Sequence, residues 1–185
     1  MFRFIIKLCW RLSGWQLSGT LPDQKKMVLA VAPHTHWHDI IIGFGARDAM
    51  KINHARFLGK KELFKGPQGW LLKKLGGTPI DRFGKTGVVE QVVALFEENE
   101  NFILGLSPEG TRKRVDKLKT GFYHIAKAAG VMIVPIGLDF ENKKLVIGNG
   151  FFAGDDEVAD MKKMIAFYAN IKGKIPANDL RHLKL

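Results

Sequence analysis

Short apolar runs alternate along the chain with stretches whose apolar residues recur at helical spacing, and no linker, repeat or low-complexity tract breaks the alternation. Met27–Ala32 reads as a buried strand running into Pro33. A helix over His38–Met50, a short strand at Arg56–Gly59, a helix over Pro67–Leu75 and a short strand at Thr78–Asp81 are predicted next. Thr86–Glu98 sets Val89, Val92, Val93 and Phe96 at helical spacing. Phe102–Leu106 reads as a strand ending at Ser107-Pro108, and Phe122–Ala129 as a helix closed by Gly130, the residue type that most readily takes a left-handed stop. Strands at Val131–Leu138 and Lys144–Ile147 and a closing helix over Val158–Ile171 complete the pattern. Such alternation predicts a single α/β domain over residues 22–185, a mixed, mostly parallel β-sheet flanked by helices. In sheets of that kind, chemistry gathers at the strand ends where loops converge.

Residues 1–21 carry a different pattern. Arg3, Lys7 and Arg11 recur every four positions and stack on one helical face, while Phe2, Phe4, Ile5, Ile6, Leu8, Trp10, Leu12 and Trp15 fill the rest. No uninterrupted apolar run approaches the ~20 residues that cross a bilayer. The charges recur through the segment and no small-residue cleavage site follows, which argues against a secretory signal. An N-terminal amphipathic helix is therefore predicted. Two burial partners stand open for it: a membrane interface, with the basic residues toward anionic headgroups, or the protein's own core.

Composition narrows the partner class. A chain of 185 residues, 46% hydrophobic, can bury a sufficient core without a disulfide or a metal. Its one cysteine, Cys9, excludes a disulfide framework and a Cys-based zinc finger, and reads as a small buried apolar side chain in a reducing compartment. The 29 Lys and Arg exceed the 18 Asp and Glu, giving a net charge of +11. That excess points to an anionic partner: nucleic acid, a membrane surface or a phosphorylated substrate. It concentrates in residues 1–26, 51–74 and 112–127, with no nucleic-acid motif and no aromatic–basic repeat, so nucleic acid is the least supported of the three.

Pro33-His34-Thr35-His36-Trp37-His38-Asp39 follows the first strong strand directly. Two chemistries suit it. In an extended segment, His34, His36 and His38 point to one side and form a candidate zinc set for a metal-dependent hydrolase, superficially like the H-x-H-x-D-H signature of metallo-β-lactamase-type enzymes but with the last two residues swapped. Alternatively, Asp39 folds back across a helical turn to orient His34, fixing its tautomer and stabilising the imidazolium, so that the distal nitrogen is free to take a proton from a substrate hydroxyl.

Three later segments bear on that choice: Gly76-Gly77-Thr78-Pro79-Ile80-Asp81-Arg82, Ser107-Pro108-Glu109-Gly110-Thr111-Arg112 and Val134-Pro135-Ile136. With His34–Asp39 as H-x-x-x-x-D, the four blocks occur in the order found in the glycerophospholipid acyltransferases, and the sequence resembles that family, typified by the 1-acylglycerol-3-phosphate O-acyltransferases. The resemblance spans His34 to Ile136, with E-G-T-R as its most specific block. It implies fatty acyl transfer from a thioester to a hydroxyl, with His34 and Asp39 catalytic and no metal or resident cofactor. Arg82, Glu109, Gly110, Thr111 and Arg112 become substrate-binding candidates. Guanidinium forks at Arg82 and Arg112 suit bidentate phosphate recognition. Gly110 allows close backbone approach, Thr111 offers a hydrogen bond, and Glu109 amid basic neighbours reads as an ion pair that positions an arginine.

By the same analogy Trp70, Leu71 and Leu72 are candidates for an acyl groove, with core packing as the other reading of each. The implied partners are acyl carrier protein or coenzyme A thioester as donor, a lysophospholipid acceptor, and anionic lipid at the cytoplasmic face of a bacterial inner membrane, held peripherally by residues 1–21. Pro33 and His36 depart from the family's usual Asn and Ser at those places, and the chain is shorter than typical members. These departures bear on the acceptor more than on the chemistry, and an amino-acid-containing lyso-lipid is the alternative acceptor.

Overall fold

Parallel pairing in register places the ends of the central strands side by side, and this determines where the loops meet. In the computed structural model the described residues are 2–81 and 86–184, with side chains in the first helix described from Ile6 onward. In chain order the elements are α1 (Phe2–Ser13), β1 (Gln16–Ser18), β2 (Lys26–Ala32), α2 (His38–Ala49), β3 (Arg56–Lys60), α3 (Gly66–Lys74), β4 (Gly77–Ile80), α4 (Val88–Glu98) and β5 (Phe102–Leu106). There follow α5 (Gly121–Ala129), β6 (Met132–Asp139), β7 (Lys144–Ile147), β8 (Phe151–Phe152) and α6 (Glu157–Tyr168), with 3₁₀ turns at Lys61–Phe64 and Pro176–Asn178.

The strands form one sheet in the order β1-β7-β6-β2-β5-β3-β4, with β8 beside β6. Pairing is parallel except where β6 meets β7 and β8. The α/β expectation thus holds, and β5 and β7 have the bounds expected of them. Central β2 is buried on both faces: Val28 lies opposite Leu104 of β5 and Ile133 of β6. Alternate residues divide between two cores. On one face Val28, Leu104 and Ile133 meet Phe96 of α4, Phe122 and Tyr123 of α5, and Met164 and Tyr168 of α6. On the other, Leu29, Ile103, Val134, Ile136 and Leu145 meet Ala46 of α2 together with Ile52 and Ala55.

The expectation of a helix through residue 21 is corrected. α1 ends at Ser13, Gly14 has φ +75°, and Gln16–Ser18 pairs with Lys144–Val146 as β1. The left-handed Gly14 stops the helix as a C-terminal glycine does. Of the two burial partners considered for α1, the protein's own core takes one side of it. Trp10 packs so closely on α2 that a Cβ at Gly45 would stand 2.6 Å from its ring, and Lys7 Nζ lies 3.8 Å from Asp48 Oδ2. Leu8 and Leu12, one turn apart, remain exposed with Arg11. Cys9 is exposed as well, against the expectation of a buried thiol, because the docked side of α1 is taken by Trp10. The side chain of Arg3 lies outside the described residues.

Candidate active site

β2 and β5 run parallel with Ala30 opposite Leu106, so the segments following them, Pro33–Asp39 and Ser107–Arg112, leave the sheet as neighbours. His34 stands at this junction, half-buried. Its Nδ1 lies 3.1 Å from Asp39 Oδ2. The same carboxylate oxygen accepts the backbone N–H groups of Thr35 and His36, each at 2.7 Å. Asp39 occupies the first turn of α2, where a negative charge also meets the positive helix end. At 3% exposed it is a fixed acceptor that folds the loop and holds the imidazole at once. With the Nδ1 proton directed at Asp39, Nε2 carries the lone pair and faces outward.

Glu109 lies beneath the histidine rather than beside an arginine. Its Oε2 accepts the His34 backbone N–H at 2.8 Å and the Ser107 hydroxyl at 3.0 Å, and Oε1 lies 3.1 Å from the same N–H. No arginine pairs with it among the described residues, because its side chain is turned into the protein and is only 1% exposed. Burial pushes its carboxyl up to about 7, against the pull of those two donors, which favour the charged form.

Around the site, Gly110 has φ +62°, and a Cβ there would come within 3.0 Å of the Lys119 side chain, so the close packing and the backbone both call for glycine. The Thr111 hydroxyl accepts the Lys113 N–H at 3.3 Å and shapes its own loop. Arg112 is exposed, with Nε 3.4 Å from His34 Nε2, the long end of a hydrogen bond. Five of the seven candidate residues, His34, Asp39, Glu109, Gly110 and Arg112, are thus brought within one cluster, with Thr111 in the same loop. Arg82 lies outside the described residues.

The three imidazoles do not converge as a metal set. His34 Nδ1 faces Asp39, His36 Nδ1 accepts the His38 N–H at 3.3 Å, and the His36 and His38 rings meet edge to face. Among the described residues no group of three ligand-type side chains is placed to hold an ion.

A cavity of about 750 Å³ opens at the histidine. His34, Asp39, Ser107 and Gly110 line its polar end, and Leu29, Phe44, Ile52, Phe57, Ile136 and Leu138 are among the apolar residues along it. Trp70, Leu71 and Leu72 do not line it: Trp70 and Leu71 are 64% and 50% exposed on α3. The apolar channel runs under α2 instead, where Gly43 contributes no side chain.

A model of the family described as Acyltransferase matches residues 17–139. The chain belongs to the acyltransferase family. Within it the likeness is to glycerophospholipid acyltransferases. The chain is 28% identical over 138 residues to a 1-acyl-sn-glycerol-3-phosphate acyltransferase of Streptococcus pneumoniae, covering 71% of this chain and 50% of that protein. It is 37% identical over 98 residues to a 1-acyl-sn-glycerol-3-phosphate acyltransferase of Escherichia coli, covering 48% of this chain and 38% of that protein. It thus spans about half or less of the length of the curated relatives it matches. The fold resembles that of the 1-acyl-sn-glycerophosphate acyltransferase PlsC from Thermotoga maritima, with a TM-score of 0.58 at 19% identity, over 88% of this chain and 73% of that one.

Two further residues stand in this cluster beyond the candidates drawn from the motifs. Ser107 opens the Ser107–Arg112 block without a substrate-binding role of its own in the motif, and Lys119 belongs to no motif. Both line the cavity, Ser107 by bonding Glu109 and Lys119 by returning beside Gly110 through its N–H to the Pro108 carbonyl at 2.7 Å. The serine follows a strand end and precedes the E-G-T-R block, which is a usable sequence signal. The position of Lys119 depends on the loop closing and leaves none.

Proposed function

We propose that this protein transfers a fatty acyl group from a thioester of acyl carrier protein or coenzyme A to the hydroxyl of a lysophospholipid such as 1-acyl-sn-glycerol-3-phosphate. The observation that carries the reading is the His34–Asp39 pair, with Nδ1 held at 3.1 Å, at the mouth of an apolar cavity of about 750 Å³. His34 Nε2 takes the acceptor's hydroxyl proton as the oxygen attacks the thioester carbonyl. Asp39 stabilises the imidazolium through Nδ1–H, much as the carboxylate of a catalytic triad does. When the C–S bond breaks, the imidazolium returns its proton to the leaving thiolate, so no covalent acyl-enzyme is required. Arg112, with Arg82, takes the acceptor's phosphate; the approach of Arg112 to His34 Nε2 supports a phosphate position beside the reacting hydroxyl. The donor's acyl chain lies in the channel under α2. Holding both substrates together supplies much of the rate.

No described helix is long and apolar enough to cross a membrane. A peripheral contact with anionic lipid is supported by exposed Leu8 and Leu12 on α1, beside Arg11, and by exposed Trp37, Ile40 and Ile41 next to Asp39 at the start of α2. The site then opens beside the bilayer that holds its acceptor.

The test is transfer of a labelled acyl chain from acyl thioester to lysophosphatidic acid by the purified full chain. His34→Ala is expected to lower the rate about 10²–10⁴-fold, and Asp39→Asn also to lower it, through loss of the imidazole's orientation. Undiminished transfer by the His34 variant rejects the mechanism. A panel including an amino-acid-containing lyso-lipid, with products weighed by mass spectrometry, identifies the acceptor.

A further inference from the structure

Residues 173–183 lie outside the segment matched by the family model, yet they touch both loops of the site. The segment is anchored in the protein: Ile171 before it and Leu180 and Leu183 within it are buried in the core shared by α4, α5 and α6. Between these anchors it passes close to the histidine loop. Gly173 packs so tightly that a Cβ would stand 3.0 Å from Thr35 and 3.2 Å from Pro33, and the Ile175 N–H donates to Thr35 Oγ1 at 3.1 Å. It then reaches the arginine loop. Asn178 Nδ2 donates to the Arg112 carbonyl at 3.0 Å, and His182 Nε2 lies 2.8 Å from the Val115 carbonyl.

This arrangement matters because Arg112 has little else to fix it. Its side chain is exposed, and its only side-chain partner among the described interactions is His34 Nε2 at 3.4 Å. A guanidinium recognises a phosphate well only when its fork is oriented, and loop residues keep such an orientation only when neighbours hold their backbone.

We propose that Asn178 and His182 are positioning residues: by fixing the backbone of residues 112–115 they aim Arg112 at a phosphate beside His34 and set the preference for a phosphorylated acceptor over a neutral one. The inference rests on the reading of Arg112 as a phosphate ligand. Asn178 and His182 act through Arg112 and touch neither the substrate nor the reacting atoms. The link also runs the other way: a phosphate bound to Arg112 is expected to tighten the segment against both loops.

The experiment compares the full chain with the double variant Asn178→Ala/His182→Ala and with His182→Gln, which keeps an amide donor for the Val115 carbonyl. Transfer is measured to lysophosphatidic acid and to the neutral monoacylglycerol carrying the same chain. In the double variant, KM for lysophosphatidic acid is expected to rise about tenfold with kcat changed less than about twofold, the size expected for losing one charge-assisted contact. The preference over the neutral acceptor falls by a similar factor, and His182→Gln stays near wild type. Equal losses on both acceptors, or a fall in kcat at constant KM, overturn the proposal. Should the wild-type chain acylate neither acceptor, the acyl-transfer reading fails and the positioning role is read directly. The Arg112 Nε–H signal, followed by nuclear magnetic resonance, is titrated with inorganic phosphate. A phosphate-dependent shift in wild type that weakens about tenfold in the double variant supports the role. An equal shift in both, or none in wild type, rejects it.

Discussion

The two faces of the sheet are built from alternate residues of the same strands, yet they are finished differently. Beneath α4, α5 and α6 large side chains fill the space: Phe96, Tyr123, Met164 and Tyr168 are almost wholly buried, and Phe96 meets Phe102 edge to face at 4.8 Å. Beneath α2 the small residues Gly43 and Ala46 stand among larger ones such as Phe44, and a channel of about 750 Å³ remains. The first face is filled by large side chains, whereas the second leaves an apolar void beside the histidine. Close packing is the rule inside proteins, so an apolar void of this size beside a held histidine is itself a sign of function.

Variants on each face sharpen this division. Phe96→Ala removes an aromatic ring from the filled face and is expected to destabilise by about 3–5 kcal/mol in denaturant titration, with activity falling only as folding does. A variant that stayed stable would break the comparison.

Next in size is Glu109→Gln, at the seam between the faces. In the folded protein the Glu109 carboxyl titrates near 7, against an ordinary value of 4.5. The folded state therefore holds its proton through a range in which the unfolded chain has lost it, and stability contributed by this group declines as pH rises from about 4.5 to about 7. The full decline is roughly 3 kcal/mol, at about 1.4 kcal/mol per unit. Glutamine, always neutral, can still accept the His34 N–H, so its variant should lose most of this slope in unfolding measured from pH 5 to pH 8. A slope equal to wild type rejects the assignment.

Gly45→Ala comes third. The new methyl meets the Trp10 ring at 2.6 Å and should push α1 outward, costing about 1–3 kcal/mol and weakening sedimentation with anionic vesicles. Smallest is Gly43→Ala. A Cβ there meets nothing within 4 Å, so it should stabilise α2 by about 0.5–1 kcal/mol while narrowing the channel. A raised Tm with transfer reduced less than about tenfold is the expected pair of results.

Local pattern made much of this legible. β5 and β7 have strong apolar runs with clear ends, so the pattern gives their observed bounds. β1 and β8 were missed because Gln16-Leu17-Ser18 and Phe151-Phe152 are strands only by virtue of distant partners, β7 and β6. The end of α1 was legible in principle, since Gly14 is a glycine at a helix end, but the apolar residues beyond it suggested continuation. In the site, His34, Asp39 and the E-G-T-R loop were visible as motifs, while the inward turn of Glu109 follows from the parallel alignment of β2 and β5. The family analogy points to Trp70, Leu71 and Leu72 for the acyl groove, whereas the cavity lies elsewhere. A cavity is defined by missing side chains, and no single run of sequence displays that.

The ends of the sheet have a consequence for how this protein behaves in a crowded solution. Every open sheet offers two rows of backbone donors and acceptors to any passing strand. Here one edge is β1, three residues long, and the other is β4, four residues long with Pro79 inside it. A strand that short gives a docking chain few bonds, and the proline withdraws a donor from the longer of the two. Where copies of the protein are concentrated, these blunt ends keep neighbours from zipping together edge to edge.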